Sequence, residues 1–343
     1  MNVATITENL WSWLEEENLD EFVEEILKWA NPQTVGLDPG AHRHNFEVVA
    51  GSLDRLGNAI ASMTTLAKLE VDATQGLLAA SDELRGLYRR IVAYVLLEVD
   101  SAAWDRDEEA SLVDWDDLDD MAAALVELHD VETVSIYTLN YDSLLMSALL
   151  EQSKRVYDGF RWLEANEPLE PWGNITLYPL HGGIGIYADS EGEVRKRRLD
   201  DVREEELLER WVEGEDNGEI PQVILGDTKD SAVLHRPFST HYGQLSADLA
   251  LPYTREVVVG GYGFGDRPVN RALGLFLAAD EHRRLLDWRP RATQEVGAVL
   301  RALREPLSDD DRKRITAEQI LAEDIALPSA DAVRALGTSD AGS

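Results

Sequence analysis

Hydrophobic positions along the 343-residue chain follow two different periods, and the change falls near residue 130. In residues 8 to 30, Trp11, Leu14, Phe22, Ile26 and Trp29 recur at roughly helical spacing among Glu and Asp, which predicts an amphipathic surface helix. Asn31 to His44 holds Pro32, Gly36, Pro39 and Gly40 and reads as a loop. From Phe46 to about Val99 the pattern is helical again, rich in Ala and Leu, with its most apolar stretch at Ile91 to Leu97. Trp115, Leu118, Ala122 and Leu125 mark one more helix, with Asp114, Asp116 and Asp117 near its positive end.

Beyond that helix, short apolar runs alternate with helical segments. Val134 to Thr138, Ile175 to Leu180, Val223 to Leu225 and Glu256 to Gly260 are expected strands, while Asp142 to Gln152, Ser239 to Leu251 and Asp266 to Glu281 are expected helices. Alternation of this kind predicts an α/β fold on a mostly parallel sheet. Ile184 to Leu199 reads as an inserted hairpin turning at Asp189-Ser190-Glu191-Gly192, with the basic run Arg195 to Arg198 as its solvated face. Past Pro290 come a helix near Glu295 to Arg304, an acidic turn at Ser308 to Asp311, another helix, and a small-residue tail expected to be disordered.

Charge changes the picture of the surroundings more than of the fold. Asp and Glu number 66 against 32 Lys and Arg, a formal net charge of -34, and only six of the basic residues are lysines. Phosphate neutralisation needs clustered Lys and Arg, so direct nucleic-acid binding is not expected. An acidic surface nearly without Lys is what molar salt favours, because screening suppresses the self-repulsion; a halophilic source is the expectation. No apolar run reaches the roughly 18 to 20 residues of a membrane span, and no basic flank precedes a short apolar block at the N-terminus, so a cytoplasmic protein is expected. The chain has no Cys, which excludes disulfides and thiolate metal sites. His42 and His44 are close but lie in a polar loop with no evident third ligand, so no metal is expected.

Ligands of open parallel sheets bind outside the carboxyl ends of the strands, which singles out three corners. They are Thr138-Leu139-Asn140-Tyr141-Asp142, Tyr178-Pro179-Leu180-His181-Gly182-Gly183, and Gly260 to Asn270, which reads Gly-Gly-Tyr-Gly-Phe-Gly-Asp-Arg-Pro-Val-Asn. Each also has a plain reading. Asp142 or Ser143 can cap the following helix, Asn140 can be a turn residue, His181 a hydrogen-bonded loop histidine, and Asp266 the N-cap of the next helix. Gly261-x-Gly263-x-Gly265 departs from the dinucleotide spacing G-x-G-x-x-G.

Taken in order, the three strings resemble the sirtuin-like NAD-cleaving family of bacterial and archaeal anti-phage defence. That family reads approximately T-x-N-Y-D, then L-H-G, then G-Y-S-x-x-D-x-x-[IN], and Pro237-Phe238 to Tyr242-Gly243 is similar as well. The likeness covers about residues 130 to 283, with Asn45-Phe46-Glu47 a weaker match upstream. It implies a Rossmann-like, doubly wound, mostly parallel sheet with added helices. The implied division is an N-terminal helix and loop at 1–44, a sirtuin-like domain at 45–283 with a helical insertion over about 45–128, and C-terminal helices with a tail at 284–343.

The resemblance implies an NAD+ glycohydrolase that releases nicotinamide and ADP-ribose. Asn140 contacts the nicotinamide-side ribose or orients the attacking water, and His181 is the general base. Gly261, Gly263 and Asp266 line the adenosine half, and Thr138, Tyr141, Asp142, Gly182, Gly226, Tyr262 and Asn270 complete the implied NAD contacts. NAD is then the substrate, and a homo-oligomer or a defence-system partner is the implied assembly. Protein deacylation is disfavoured, since the zinc module of true sirtuins needs four Cys.

Two departures stand beside the likeness. The family opens with a strand running into a Gly-Ala-Gly-x-Ser-type loop that holds the pyrophosphate, but no apolar strand precedes Gly36 or Gly40. The expectation is either a natural start upstream or loss of that cradle. Gly263 also stands where the family has Ser. The alternative function is a non-catalytic nucleotide-sensing or interaction module of the same fold.

Overall fold

The computed structural model describes residues 3–30, 46–66, 71–105, 110–112, 115–129, 134–152, 156–157, 161–162, 175–189, 193–215, 219–225, 237–324 and 330–336. The expected loop at 31–44, Gly226 and the tail at 337–343 lie outside them.

The N-terminal third is helical. α1 (Val3–Glu16) and α2 (Asp20–Ala30) occupy the stretch expected to be one helix. Asn18 interrupts it with φ 58°, and the amides of Asn18 and Leu19 bond back to the carbonyls of Glu15 and Leu14 at 3.1 and 2.8 Å. Asn tolerates this left-handed stop because its short polar side chain crowds the backbone little. The break also rotates the apolar face, so that Val23 is fully buried while Phe22 is half exposed. α3 (Phe46–Leu66) and α4 (Val71–Ser101) follow. Leu84, Leu87, Ile91 and Val95 recur at helical spacing on α4 and join Leu10, Leu14, Phe46 and Leu53 in one buried cluster.

β1 (Trp104–Asp105) and β2 (Ala110–Ser111) form a short antiparallel pair before α5 (Trp115–His129). Two parallel sheets come next. In the first, β3 (Ser135–Thr138) and β4 (Val156–Tyr157) flank β6 (Ile175–Pro179); α6 (Leu144–Gln152) links β3 to β4, and β5 (Arg161–Trp162) intervenes before β6. The second is built from β10 (Glu256–Gly260), β11 (Arg284–Arg289) and β12 (Ile320–Asp324). α5 covers one face of both sheets, packing on Ile175 and Leu177 of the first and on Leu286 and Trp288 of the second. The opposite faces share α9 (Phe238–Ala250), α10 (Arg267–Ala279) and α11 (Ala292–Arg304), whose core includes Tyr137, Leu180, Val259 and Leu285. The protein is therefore mixed α/β with small parallel sheets.

Between the helical layer and these sheets runs a four-stranded sheet in the order β5, β8 (Val194–Lys196), β7 (Gly182–Ala188), β9 (Ile220–Val223), with α7 (Leu199–Glu204) and α8 (Leu207–Val212) beside it. The expected hairpin is the β7–β8 pair, but it starts two residues earlier than read, and every residue of β7 is buried. The basic run is not a solvated face. Lys196 is buried, and Arg197 pairs with Glu205 and Glu219 at 2.6 and 2.8 Å. The strand expected at Val223 to Leu225 ends instead at Val223 and runs antiparallel to β7, outside either parallel sheet.

The C-terminal region differs most from expectation. The sequence pattern does not predict β11 and β12, and the boundary expected at 283/284 falls where β10 pairs with β11 inside one sheet. Ser308 caps α12 (Asp309–Arg314), accounting for the acidic turn, and α13 (Ala330–Leu336) packs against α5. Among the described residues, no helix is long and apolar enough to cross a membrane.

Candidate functional site

The three corners converge. β6 ends at Pro179, and a two-residue turn, Leu180-His181, throws the chain from the parallel sheet into β7. The turn is pinned on both sides: the Leu180 amide donates to Thr138 O, and the Ile224 amide donates to His181 O, at 2.9 and 2.8 Å. Gly182 takes φ 75°, and Gly183 passes so close to Tyr141 that a Cβ there would lie 2.6 Å from its carbonyl oxygen. The Ile184 amide donates to that same oxygen at 2.8 Å, which fixes the first corner against the second.

His181 is 3% exposed and points at the third corner. Its Nε2 lies 2.8 Å from Asp266 Oδ2 and 3.1 Å from the Tyr242 hydroxyl, and the Tyr141 ring lies along the imidazole with centroids 6.2 Å apart. Asp266 does two things. It caps α10, its Oδ1 accepting from the Val269 amide at 3.0 Å, and its other oxygen faces His181. Tyr262 straddles the cap, accepting from the Asp266 amide at 3.1 Å and donating to Asn270 Oδ1 at 2.8 Å. The side-chain Nδ2 of Asn270 donates to Phe264 O at 2.8 Å. Phe264, with φ 53°, rests on the Tyr262 ring and under the Arg289 guanidinium, which Asp287 holds by two bonds of 2.6 and 2.8 Å.

Burial sets the protonation of the surrounding phenols. Desolvation, then the Asp266 charge, pushes the Tyr242 and Tyr262 hydroxyls far above their ordinary range, so both stay neutral. Tyr141 is raised well above it by desolvation, then by Glu47 at the start of α3 and by Asp266. Its hydroxyl donates to Ile224 O at 3.1 Å. Glu47 thus reaches Tyr141 from the first turn of α3.

Thr138, Asn140 and Asp142 form a local network beside this cluster. Thr138 Oγ1 accepts from the Asn140 amide at 3.1 Å, and Asp142 Oδ1 accepts from the Leu144 amide at the start of α6 at 3.1 Å. The plain capping reading of Asp142 holds. Asn140 is exposed, and its side chain hydrogen-bonds the Asp142 carboxylate, whose pKa is raised by desolvation despite that bond. The Gly-rich corner faces open space: a Cβ at Gly261, Gly263 or Gly265 would meet nothing within 4 Å. Their small size is not demanded by packing within the described structure, and it leaves the backbone approachable by a ligand.

Two features of the candidate site are not legible in the sequence. Tyr242 is a third member of the His181 cluster, and its only signal in the sequence is the Pro237 to Gly243 string, which forms the start of α9. Asp266 has the local marks of a cap or, by the family likeness, of an adenosine contact, and no local signal reveals its pairing with a histidine 85 residues away. Gly226 lies outside the described residues. Among the described residues, no three His, Asp or Glu side chains gather as metal ligands. No protein-family model matches the chain, and no curated protein matches its sequence.

Proposed function

We propose that the converged corners bind a nicotinamide dinucleotide and that the protein is a sirtuin-like NAD+ glycohydrolase. The observation that carries this reading is the meeting of an imidazole, a carboxylate and a Gly-rich strand end with open space above it, all from the segments that bear the family likeness. In the reaction, water attacks the anomeric carbon as the C–N bond to the pyridinium breaks. Nicotinamide leaves as a neutral base with the bonding pair, so no acid need protonate it. The water's proton passes to His181, and the products are nicotinamide, ADP-ribose and a proton released to solvent. An oxocarbenium-like transition state needs fixed ribose geometry and a weak base; the exposed amide of Asn140 supplies the first and His181 the second. The same resemblance points to anti-phage defence as the setting, with a second copy or a partner protein governing the activity.

One observation favours the second reading, a non-catalytic nucleotide-sensing or interaction module: His181 is nearly fully buried, and its Nε2 is already engaged by Asp266 and Tyr242. Nicotinamide release from NAD by the purified protein in molar potassium chloride separates the two. The hydrolase predicts release that falls at least about 100-fold in His181→Ala and in Asn140→Ala. Saturable NAD binding without release by the folded protein would establish the module instead.

A further inference from the structure

Asp266 presents its two oxygens to two different donors. Oδ1 is committed to the Val269 amide at 3.0 Å, which fixes the rotation of the carboxylate, and Oδ2 is thereby aimed at His181 Nε2 at 2.8 Å. An ionised carboxylate only accepts hydrogen bonds, so with Asp266 charged the 2.8 Å contact is made by a proton on Nε2. The neutral ring then carries its lone pair on Nδ1. The Tyr242 hydroxyl, 3.1 Å from the same Nε2, can share that proton as a second acceptor. Tyr141, packed along the ring face, resists its rotation. Helix capping and tautomer choice are thus made by one side chain.

We infer that Asp266 is a positioning residue that locks His181 in the Nε2-protonated tautomer and so makes Nδ1 the nitrogen that receives a proton. The catalytic consequence rests on the NAD-cleaving reading; the tautomer itself does not. Substitution by Asn turns the device around. The amide oxygen of that variant is required by the Val269 amide, as the cap demands, so its NH2 takes the place of Oδ2 and presents a donor to Nε2. Nε2 must then accept, the Tyr242 hydroxyl can donate to it as well, and the proton moves to Nδ1. A dyad with one wrong tautomer loses its base while keeping its geometry.

The test is long-range 15N–1H correlation NMR on the full chain with 15N-labelled histidine, in molar potassium chloride and an alkaline buffer where imidazole is neutral, with His181 assigned by its loss in His181→Gln. The wild-type ring is expected to be protonated on Nε2 and the Asp266→Asn ring on Nδ1, with urea midpoints alike because Asn caps as well as Asp. Asp266→Ser keeps a cap with a side chain too short to reach Nε2, and is expected to show a mixture of tautomers. Nicotinamide release is measured in parallel and is expected to fall at least about 100-fold in Asp266→Asn, in kcat rather than KM. A wild-type ring protonated on Nδ1 or on both nitrogens, or an unchanged tautomer in both folded variants, overturns the inference. Absence of release from the wild type, with the tautomer switch observed, overturns the NAD-cleaving reading alone.

Discussion

Gly182 and Gly263 stand one residue after a predicted site histidine and in the Gly-rich corner, and a methyl group separates their roles. At Gly182, φ is 75° and a Cβ would lie 1.9 Å from the Gln222 carbonyl oxygen, in the strand paired with β7. Gly182→Ala is therefore expected to cost about 3 kcal/mol or more, read as a lowered urea midpoint. At Gly263 nothing lies within 4 Å, so Gly263→Ala should leave the midpoint unchanged and weaken NAD binding, measured by titration calorimetry. Equal midpoint losses in the two variants would show that the Gly-rich corner is packed rather than open. Asp142 offers a pH test. Burial raises its folded pKa above the unfolded value, so the folded state binds the extra proton and stability falls as pH rises through the window between the two. Asp142→Asn removes that loss and keeps an acceptor for the Leu144 amide. Its stability advantage over the wild type should be present at neutral pH and shrink as pH falls through the upper edge of the carboxylate range. An advantage that persists unchanged into acid would show that the carboxylate carries no burial cost.

Helices are held to one another by charges as well as by apolar faces. Asp100, 2% exposed near the end of α4, takes Arg203 of α7 in a two-pronged pair at 2.7 and 3.0 Å, and that guanidinium also lies over the Trp104 ring at 4.4 Å. Arg203→Leu leaves the carboxylate buried and without its guanidinium, and is expected to cost about 3 to 5 kcal/mol in urea unfolding. A loss under about 1 kcal/mol would show that solvent reaches Asp100. At this scale the apolar pattern was a good guide wherever an element's own face is buried, as along α4 and in β10. It failed where the element's role depends on a distant partner. β11 reads Arg-Leu-Leu-Asp-Trp-Arg, too polar for an interior strand by pattern alone. Its Asp287 and Arg289 are buried because they neutralise each other, and that pairing is invisible in a hydropathy period.

Over the whole molecule, a formal charge of -34 makes self-repulsion the long-range force opposing the fold. Repulsion acts over a Debye length of about 10 Å at 0.1 M salt and about 3 Å at 1 M, so the thermal midpoint should rise steeply as potassium chloride increases over that range. A midpoint flat in salt would mean that the acidic surface is locally paired and exerts no net strain. The same screening sets the conditions for any activity assay, since a protein loosened in dilute buffer gives a false negative at the site. Composition, the period of the apolar positions and the polar strand ends are properties of the sequence read locally, and they determined the acidic surface, the helical first third, the alternating second part and the corners to inspect. Those corners include His181 and Asp266. Tertiary structure alone decided that β11 and β12 continue the sheet begun by β10, that β7 and β9 pair antiparallel beneath the helical layer, and that Asp266 and Tyr242 close on His181. The reason is physical: strand partners and side-chain hydrogen bonds are selected by which surfaces meet across tens of residues, and no local pattern encodes that meeting.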